Sequence, residues 1–155
     1  MLNGGNLLKP YFIKEVTDVN GKMVYHNQPT VLNKTISEGT SAQIREMLEK
    51  VVTKSNAINA FIPGYRVSGK TGTSQKYEDG KIVQKYVSSF VGAFPADKPE
   101  YVVLVIADEP SAGNYFGSVV ATPYAKLIFE GIINYKQFKP TESVEEEEKL
   151  LEKNI

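Results

Sequence analysis

The chain has 155 residues, 41% of them hydrophobic, and equal numbers of basic and acidic side chains, 18 of each. This length is enough for one hydrophobic core, and the zero net charge gives no field that favours nucleic acid, so we expect no nucleic-acid partner. Cysteine is absent, which excludes disulfides and thiolate chemistry. The longest apolar run, residues 101–107, is far shorter than the roughly 20 residues of a membrane-spanning helix, so we expect a soluble chain.

A β-hairpin is predicted near the N-terminus. Extended residues at 11–13 and 23–25 flank Asn20-Gly21, a dipeptide that suits the positive φ angles of a type I′ turn. An amphipathic helix follows, because apolar residues recur at i, i+3, i+4, i+7 and i+8. These residues are Ile44, Met47, Leu48, Val51 and Val52. Thr40 and Gln43 resemble a capping box, so the helix is predicted to begin near residue 40 or slightly earlier and to end near Lys54.

Three consecutive strands are predicted to form an antiparallel meander. They cover residues 65–74, 86–94 and 101–107, with turn chemistry at 78–80 and 95–100 between them. The third strand is apolar at nearly every position, so we expect other elements to cover both of its faces.

A C-terminal helix is predicted after Thr122-Pro123, because proline fits the first helical turn. Apolar residues at helical spacing are expected to close it on the sheet, namely Tyr124, Leu127, Ile128, Gly131 and Ile132. Residues 139–155 are rich in glutamate and predict an acidic tail that is disordered or a frayed helix. The predicted fold class is α+β, an antiparallel three-strand meander flanked by helices, with an N-terminal β-hairpin, in one domain over residues 1–138.

One motif carries chemistry. Residues 69–74, Gly-Lys-Thr-Gly-Thr-Ser, place a cation, hydroxyls and a position without a side chain on the first meander strand. Alternation puts Lys70 on the opposite face from Thr71 and Thr73, while Gly72 allows a close approach. A strand edge binds an extended ligand by its backbone, and hydroxyls near an ammonium hold a carboxylate. The ordinary alternatives are a solvated lysine, two strand-forming threonines and a bulge at the glycine.

The surrounding sequence resembles the penicillin-binding transpeptidases. Residues 62–75, Ile-Pro-Gly-Tyr-Arg-Val-Ser-Gly-Lys-Thr-Gly-Thr-Ser-Gln, resemble the third conserved motif of that family, in which Lys-Thr-Gly lines the active site. Residues 89–110 resemble the next two strands, and residues 117–123 the lead-in to the final helix. Residues 3–52 resemble the linking region of the monofunctional class B type. The resemblance therefore covers about residues 3–135 and implies the C-terminal part of a transpeptidase domain, an incomplete penicillin-binding transpeptidase fold.

The resemblance implies roles for five motif residues. Lys70 and Thr73 would be catalytic, since the ammonium holds the substrate carboxylate and tunes proton transfers, and the Thr73 N–H is one oxyanion-hole donor. The hydroxyls of Thr71 and Thr73 would bind the same carboxylate, and Gly72 and Ser74 complete the substrate-binding segment. No cofactor is implied, and no spacing of carboxylates or histidine suggests a metal site.

Two family motifs are missing from the sequence. The nucleophile belongs to a Ser-x-x-Lys motif and further polar groups to Ser-x-Asn, and neither pattern occurs in these 155 residues. Thr73 stands three residues before Lys76, but a strand lacks the helical geometry of a nucleophile pair. We therefore expect the chain to be part of a longer enzyme, for which Met1 need not be the natural start, and we expect the chain alone to be inactive.

The parent implied by the resemblance is a serine-type D-Ala-D-Ala transpeptidase that cross-links peptidoglycan and binds penicillin. Its expected partners are the peptidoglycan stem peptide, β-lactams and the upstream half of the parent, which would be anchored in the cytoplasmic membrane with its catalytic domain outside the cell. Two alternatives stay open: a non-catalytic binding or interaction module, and a β-lactam hydrolase or sensor fragment, against which the class B-like linking region argues. An incomplete sheet also predicts self-association of the isolated chain.

Overall fold

The structure is a computed structural model that describes residues 1–141, so the predicted acidic tail lies outside the described residues from residue 142 onward. The chain divides into two compact units, Met1–Ile44 and Arg45–Ile155, and the division falls inside the first helix. In the described part of the chain, no helix has the length and hydropathy that crossing a membrane requires. In chain order the elements are β1 (Asn6–Leu8), β2 (Glu15–Thr17), β3 (Met23–His26), β4 (Val31–Lys34), α1 (Glu38–Lys54), a 3₁₀ turn (Ile58–Ala60), β5 (Ser68–Glu78), β6 (Lys81–Phe94), β7 (Tyr101–Asp108), α2 (Gly117–Val120) and α3 (Thr122–Lys136).

The first unit contains two antiparallel pairs, β1 with β4 and β2 with β3. The predicted hairpin is present as β2–β3, but its first strand is residues 15–17 and not 11–13. The predicted type I′ turn is wrong. Such a turn needs two consecutive residues with positive φ angles, and among residues 19–21 only Gly21 has one, 79°. Asp18 organises a three-residue loop instead: its carboxylate accepts the N–H groups of Asn20 and Lys22, both at 2.9 Å.

Helix α1 begins earlier than its predicted cap. The hydroxyl oxygen of Ser37 accepts the N–H of Thr40 at 3.0 Å, so Ser37 caps the helix and Thr40 lies within its first turn. The predicted capping box at Thr40 and Gln43 is therefore wrong. Of the predicted apolar stripe, Val52 is fully buried, whereas Met47 is 64% exposed.

The second unit contains the predicted meander, with the strand order β5-β6-β7 and antiparallel pairing throughout. Strands β5 and β6 are joined by a two-residue turn at Asp79 and Gly80. Both residues have the positive φ angles that a tight hairpin turn requires, 49° and 76°. The register places Lys70 opposite Val91 and Thr73 opposite Ser88. Residues opposite each other share a face of the sheet, so this register shows on which of the two faces each motif residue lies.

The hydrophobic core lies on one face of this sheet, against α3. Phe90 and Phe129 are fully buried, and a Cβ at Gly92 would lie 2.8 Å from the Phe129 ring. The predicted inward stripe of α3 is wrong: Tyr124 and Leu127 are 61% and 63% exposed. The side chains that do face the core are Ala125, Phe129 and Ile133. Small residues such as Ala125 and Gly92 let the helix pack close to the sheet. The buried face of α3 is therefore the one that fits the sheet and not the one with the most large apolar side chains.

The opposite face of the sheet carries exposed apolar side chains. Val91, Val102, Leu104 and Ile106 are 44%, 66%, 61% and 57% exposed, and we call these four residues the open face. Val103, between two of them, is buried on the core side. The prediction that both faces of the third strand are covered is therefore wrong within residues 1–141.

Replacement of Phe90 by alanine should remove the centre of the core. Phe90 is fully buried, and deleting a buried phenylalanine side chain costs about 3–5 kcal/mol of unfolding free energy. Urea denaturation of Phe90→Ala, compared with the unmodified chain, measures this loss. The control Tyr135→Ala removes an aromatic ring that is 83% exposed and should change the unfolding free energy by less than about 0.5 kcal/mol. Equal losses in the two variants would contradict this core assignment.

Candidate active site

The Lys-Thr-Gly segment lies on an exposed sheet edge. Among the described strands, β5 pairs with β6 alone, so its other edge is unpaired there. Lys70 is exposed and shares its face with Val91 and Leu104, whereas Thr71 shares the opposite face with Phe90. The alternation predicted for Lys70 and the two threonines is confirmed.

The Lys70 ammonium lies beside the strand backbone. Its Nζ donates to the carbonyl oxygen of Thr71 at 3.0 Å. An ammonium carries three donors, so this contact leaves two of them for a ligand. A ligand lying along the β5 edge would therefore meet a cation and main-chain groups together.

The remaining motif residues are divided between the two faces of the sheet. Gly72 faces Ser89, and a Cβ at Gly72 would lie 2.8 Å from the Ser89 hydroxyl oxygen. Ser74 is exposed and lies opposite Val87, on the same face as Lys70. The structure thus places Lys70, Gly72 and Ser74 on one face and Thr71 and Thr73 on the other.

Thr73 has a backbone partner that sequence reasoning missed. Its Oγ1 accepts the N–H of Gly117, the first residue of α2, at 3.0 Å. A Cβ at Gly117 would lie 2.5 Å from the Ser89 carbonyl oxygen and 2.6 Å from the Gly72 carbonyl oxygen. Because real Cβ atoms do not approach backbone oxygen this closely, residue 117 needs to be glycine.

Two contacts fix the loop that leads to Gly117. The hydroxyl of Ser88 donates to the carbonyl oxygen of Tyr115, and the rings of Tyr86 and Tyr115 stack with centroids 3.9 Å apart. A hydrogen bond with Tyr86 raises the pKa of the Tyr115 phenol. Alternation from buried Phe90 could have identified Ser88 as inward-facing, but no spacing rule connects Tyr86 with a loop residue 29 positions later.

The family model described as "Penicillin binding protein transpeptidase domain" matches residues 1–130. The chain belongs to this family. It is 44% identical over 141 residues to Stage V sporulation protein D of Bacillus subtilis, covering 90% of this chain and 22% of that relative. It is 34% identical over 153 residues to a peptidoglycan D,D-transpeptidase FtsI homolog of Mesostigma viride, covering 90% of this chain and 26% of that relative.

A solved structure gives the same result. The D,D-transpeptidase domain of a peptidoglycan glycosyltransferase from Eggerthella lenta superposes with a TM-score of 0.72 at 29% identity, covering 87% of this chain and 30% of that one. The chain therefore spans about a quarter of the length of the two curated relatives and under a third of the solved domain. The predicted family and the predicted α+β transpeptidase fold are confirmed.

An ion-pair cluster holds the far end of strand β5. Lys76 Nζ lies 2.5 Å from Asp108 Oδ1 and 2.8 Å from Glu109 Oε1, which joins β5 to the end of β7. Hydrogen bonds to Asp108 and then Glu109 raise the pKa of Lys76. Nearby, a hydrogen bond to Glu78 raises the pKa of Lys85. Within residues 1–141, no group of three or more histidines and carboxylates is placed to hold a metal ion.

The near end of β5 is held by a bidentate ion pair. Arg66 Nε and Nη2 donate to the two carboxylate oxygens of Glu49 at 2.6 and 2.7 Å. This geometry ties Arg66, two residues before β5, to the C-terminal part of α1 and restricts the orientation of both side chains. The motif strand β5 is thus anchored on either side of Lys70.

The Lys76 cluster predicts a pH-dependent contribution to stability. Because the pKa is raised in the folded protein, the contribution is complete below the ordinary value of 10.5 and is lost as pH rises through the higher folded value. The difference in Tm between the unmodified chain and Lys76→Met should be steady at neutral pH and shrink above pH 10.5. Lys81→Met, at an exposed lysine of β6, corrects for the general effect of losing a cation. A Lys76→Met difference that grows with pH would contradict the assignment.

Proposed function

We propose that this chain supplies the Lys-Thr-Gly wall of a D-Ala-D-Ala transpeptidase site whose serine lies in another part of a longer protein. The exposed β5 edge supports this proposal, because it places the Lys70 ammonium beside the backbone of Thr71. Family membership supports the reaction class. The absence of Ser-x-x-Lys from the 155 residues supports the division of the site between two segments.

The proposed reaction has two balanced steps. The serine oxygen attacks the carbonyl carbon of the penultimate D-alanine, the peptide bond breaks, and terminal D-alanine leaves with a proton on its amine. An amine of a neighbouring peptidoglycan strand then attacks the resulting ester, and the serine oxygen recovers its proton. In a penicillin the same attack opens the β-lactam amide, and the ring nitrogen takes the proton.

In this proposal the motif residues hold the ligand and the developing charge. Lys70 holds the ligand carboxylate and tunes the proton transfers, while the hydroxyls of Thr71 and Thr73 bind the same carboxylate. The N–H of Thr73 is one oxyanion-hole donor. Gly72 and Ser74 complete the binding segment, and the unpaired edge lets an extended peptide lie alongside β5.

The proposed partner for the open face is the upstream segment that carries the serine. Lys70 shares this face with Val91 and Leu104, so a serine that reaches a ligand held by Lys70 would approach from the same side. Burial of the four apolar side chains would stabilise that contact. An exposed apolar surface of this kind argues against a free-standing interaction module.

The wider organisation of the parent follows as part of the proposal. Residues 1–138 would form the C-terminal part of its transpeptidase domain and residues 139–155 an acidic tail. Peptidoglycan stem peptide and β-lactams would bind through the assembled domain. The parent would be anchored in the cytoplasmic membrane with this domain outside the cell.

A chimera tests the proposed function. In the chimera, this chain replaces the matching segment of the 44%-identical Bacillus subtilis relative, which supplies the upstream sequence. We expect the chimera to form a covalent adduct with fluorescent penicillin. Lys70→Ala should lower the acylation rate roughly 100-fold, because it removes the cation that holds the carboxylate and stabilises charge in the transition state. Rates are read by intact-mass spectrometry.

The matched control is Lys81→Ala in the same chimera. Lys81 is another exposed strand lysine, on β6 and away from the motif, and its removal should leave the rate unchanged. If Lys70→Ala and Lys81→Ala label at the same rate while the chimera is folded, Lys70 has no part in the site and the proposal fails.

The open face also predicts self-association of the isolated chain. Leu104, at its centre, is 61% exposed. Association of two copies through this face would remove apolar surface from water, which is favourable. Light scattering should show dimers or larger species that Leu104→Glu converts toward monomer. Leu127→Glu, at an equally exposed apolar position on α3, is the control. A monomer at high concentration, or dissociation by Leu127→Glu alone, would count against the open face as the contact.

A further inference from the structure

We propose that Gly117 is a positioning residue for the transpeptidase site, because its N–H keeps the Thr73 hydroxyl proton directed away from Gly117 and available to a ligand. This inference rests on the proposed function, in which Thr73 binds a ligand carboxylate. It adds a residue outside the Lys-Thr-Gly segment, 44 positions further along the chain, and a physical reason for its identity.

The direction of the hydroxyl follows from its hydrogen bond. Thr73 Oγ1 accepts the Gly117 N–H at 3.0 Å, and a backbone N–H has no acceptor to offer in return. The hydroxyl proton of Thr73 must therefore point away from Gly117. Thr73 is exposed, so that proton remains available to an anionic ligand at the β5 edge. Before a ligand binds, the N–H has therefore already excluded the orientation in which the hydroxyl proton points at Gly117 and could not reach the ligand.

The absence of a side chain at residue 117 makes this contact possible. Gly117 is buried, and its missing Cβ would lie 2.5 Å from the Ser89 carbonyl oxygen and 2.6 Å from that of Gly72. Both obstacles are backbone atoms of adjacent strands and cannot rotate away. An alanine at 117 would have to displace the start of α2 from the sheet and lengthen the bond to Thr73.

Independent contacts set the position of Gly117 on the sheet. Ser88, which lies opposite Thr73, donates to the carbonyl oxygen of Tyr115, two residues before Gly117. On the other side, the amide nitrogen of Asn59 donates to the carbonyl oxygen of Ser118 at 2.8 Å. Gly117 is therefore held between two anchors, and its N–H is aimed at Thr73 by the surrounding structure.

The test compares a penicillin that has its free carboxylate with the methyl ester of the same penicillin, in the chimera defined above. The ratio of the two acylation rates measures how strongly the site uses the carboxylate. Gly117→Ala should lower this ratio about tenfold, the effect of one misdirected hydrogen bond to a charged group. Thr73→Val should lower it at least as far, Thr73→Ser should preserve it, and Gly117→Ala should add nothing in the Thr73→Val background.

Two further variants separate positioning from general damage. Gly131→Ala, where a Cβ meets open space on α3, controls for the exchange of glycine for alanine and should keep the ratio. Ser88→Ala loosens the loop anchor without adding bulk and should lower the ratio in the same direction, which keeps the inference testable if Gly117→Ala does not fold.

The outcomes distinguish the inference from the function on which it rests. If Thr73→Val lowers the ratio but Gly117→Ala and Ser88→Ala slow acid and ester equally or leave both unchanged, the positioning role is wrong and the proposed function stands. If Thr73→Val leaves the ratio unchanged, or the chimera forms no adduct, the proposed function is wrong, and so is the inference that rests on it.

Discussion

The register in which β5 pairs with β6 decides which side chains of the meander enter the core and which reach the candidate site. A slip of one residue would move Lys70 to the core face and the threonines to the open face. The register is fixed by a steric match: Gly69 lies against Phe90, and a Cβ there would be 2.3 Å from the aromatic ring. Phe90 is in turn fully buried within the core under α3. The contact between Gly69 and Phe90 therefore determines both the packing of the core and the position of the Lys-Thr-Gly segment.

The register places different motif residues on the two faces of the sheet. The core side holds Thr73 where the loop before α2 reaches it, through Gly117 and the contact of Ser88 with Tyr115. The other side presents Lys70 beside exposed apolar residues such as Leu104. One face therefore positions the hydroxyl that the proposal assigns to the ligand, and the other offers a surface for the segment that carries the serine.

Much of this arrangement could be predicted from local sequence. The meander followed from three apolar segments with turn residues between them, and alternation alone assigned Lys70 and the threonines to opposite faces. The resemblance of residues 62–75 to a known motif identified the family that the comparisons confirm. These features succeed because they depend on short-range periodicity and on residues adjacent in the chain.

The errors arose where distant residues decide the outcome. The buried side of α3 is set by the fit of Ala125 and Phe129 to the sheet, so its exposed Tyr124 stripe was mistaken for the core face. The covering of β7 was inferred from its apolar composition, which also suits a strand with one face left exposed in residues 1–141. Likewise, the hydrogen bond from Gly117 to Thr73 joins residues 44 positions apart, and no spacing rule predicts it.

We propose that the chain contributes one wall of a penicillin-binding site and that the nucleophile lies elsewhere. Intact-mass spectrometry after incubation with penicillin tests it most directly, on the isolated chain and on the chimera in parallel. We expect a covalent adduct on the chimera and an unchanged mass for the chain alone. An adduct on the isolated chain would show that it contains its own nucleophile, and the proposed division of the site would then be wrong.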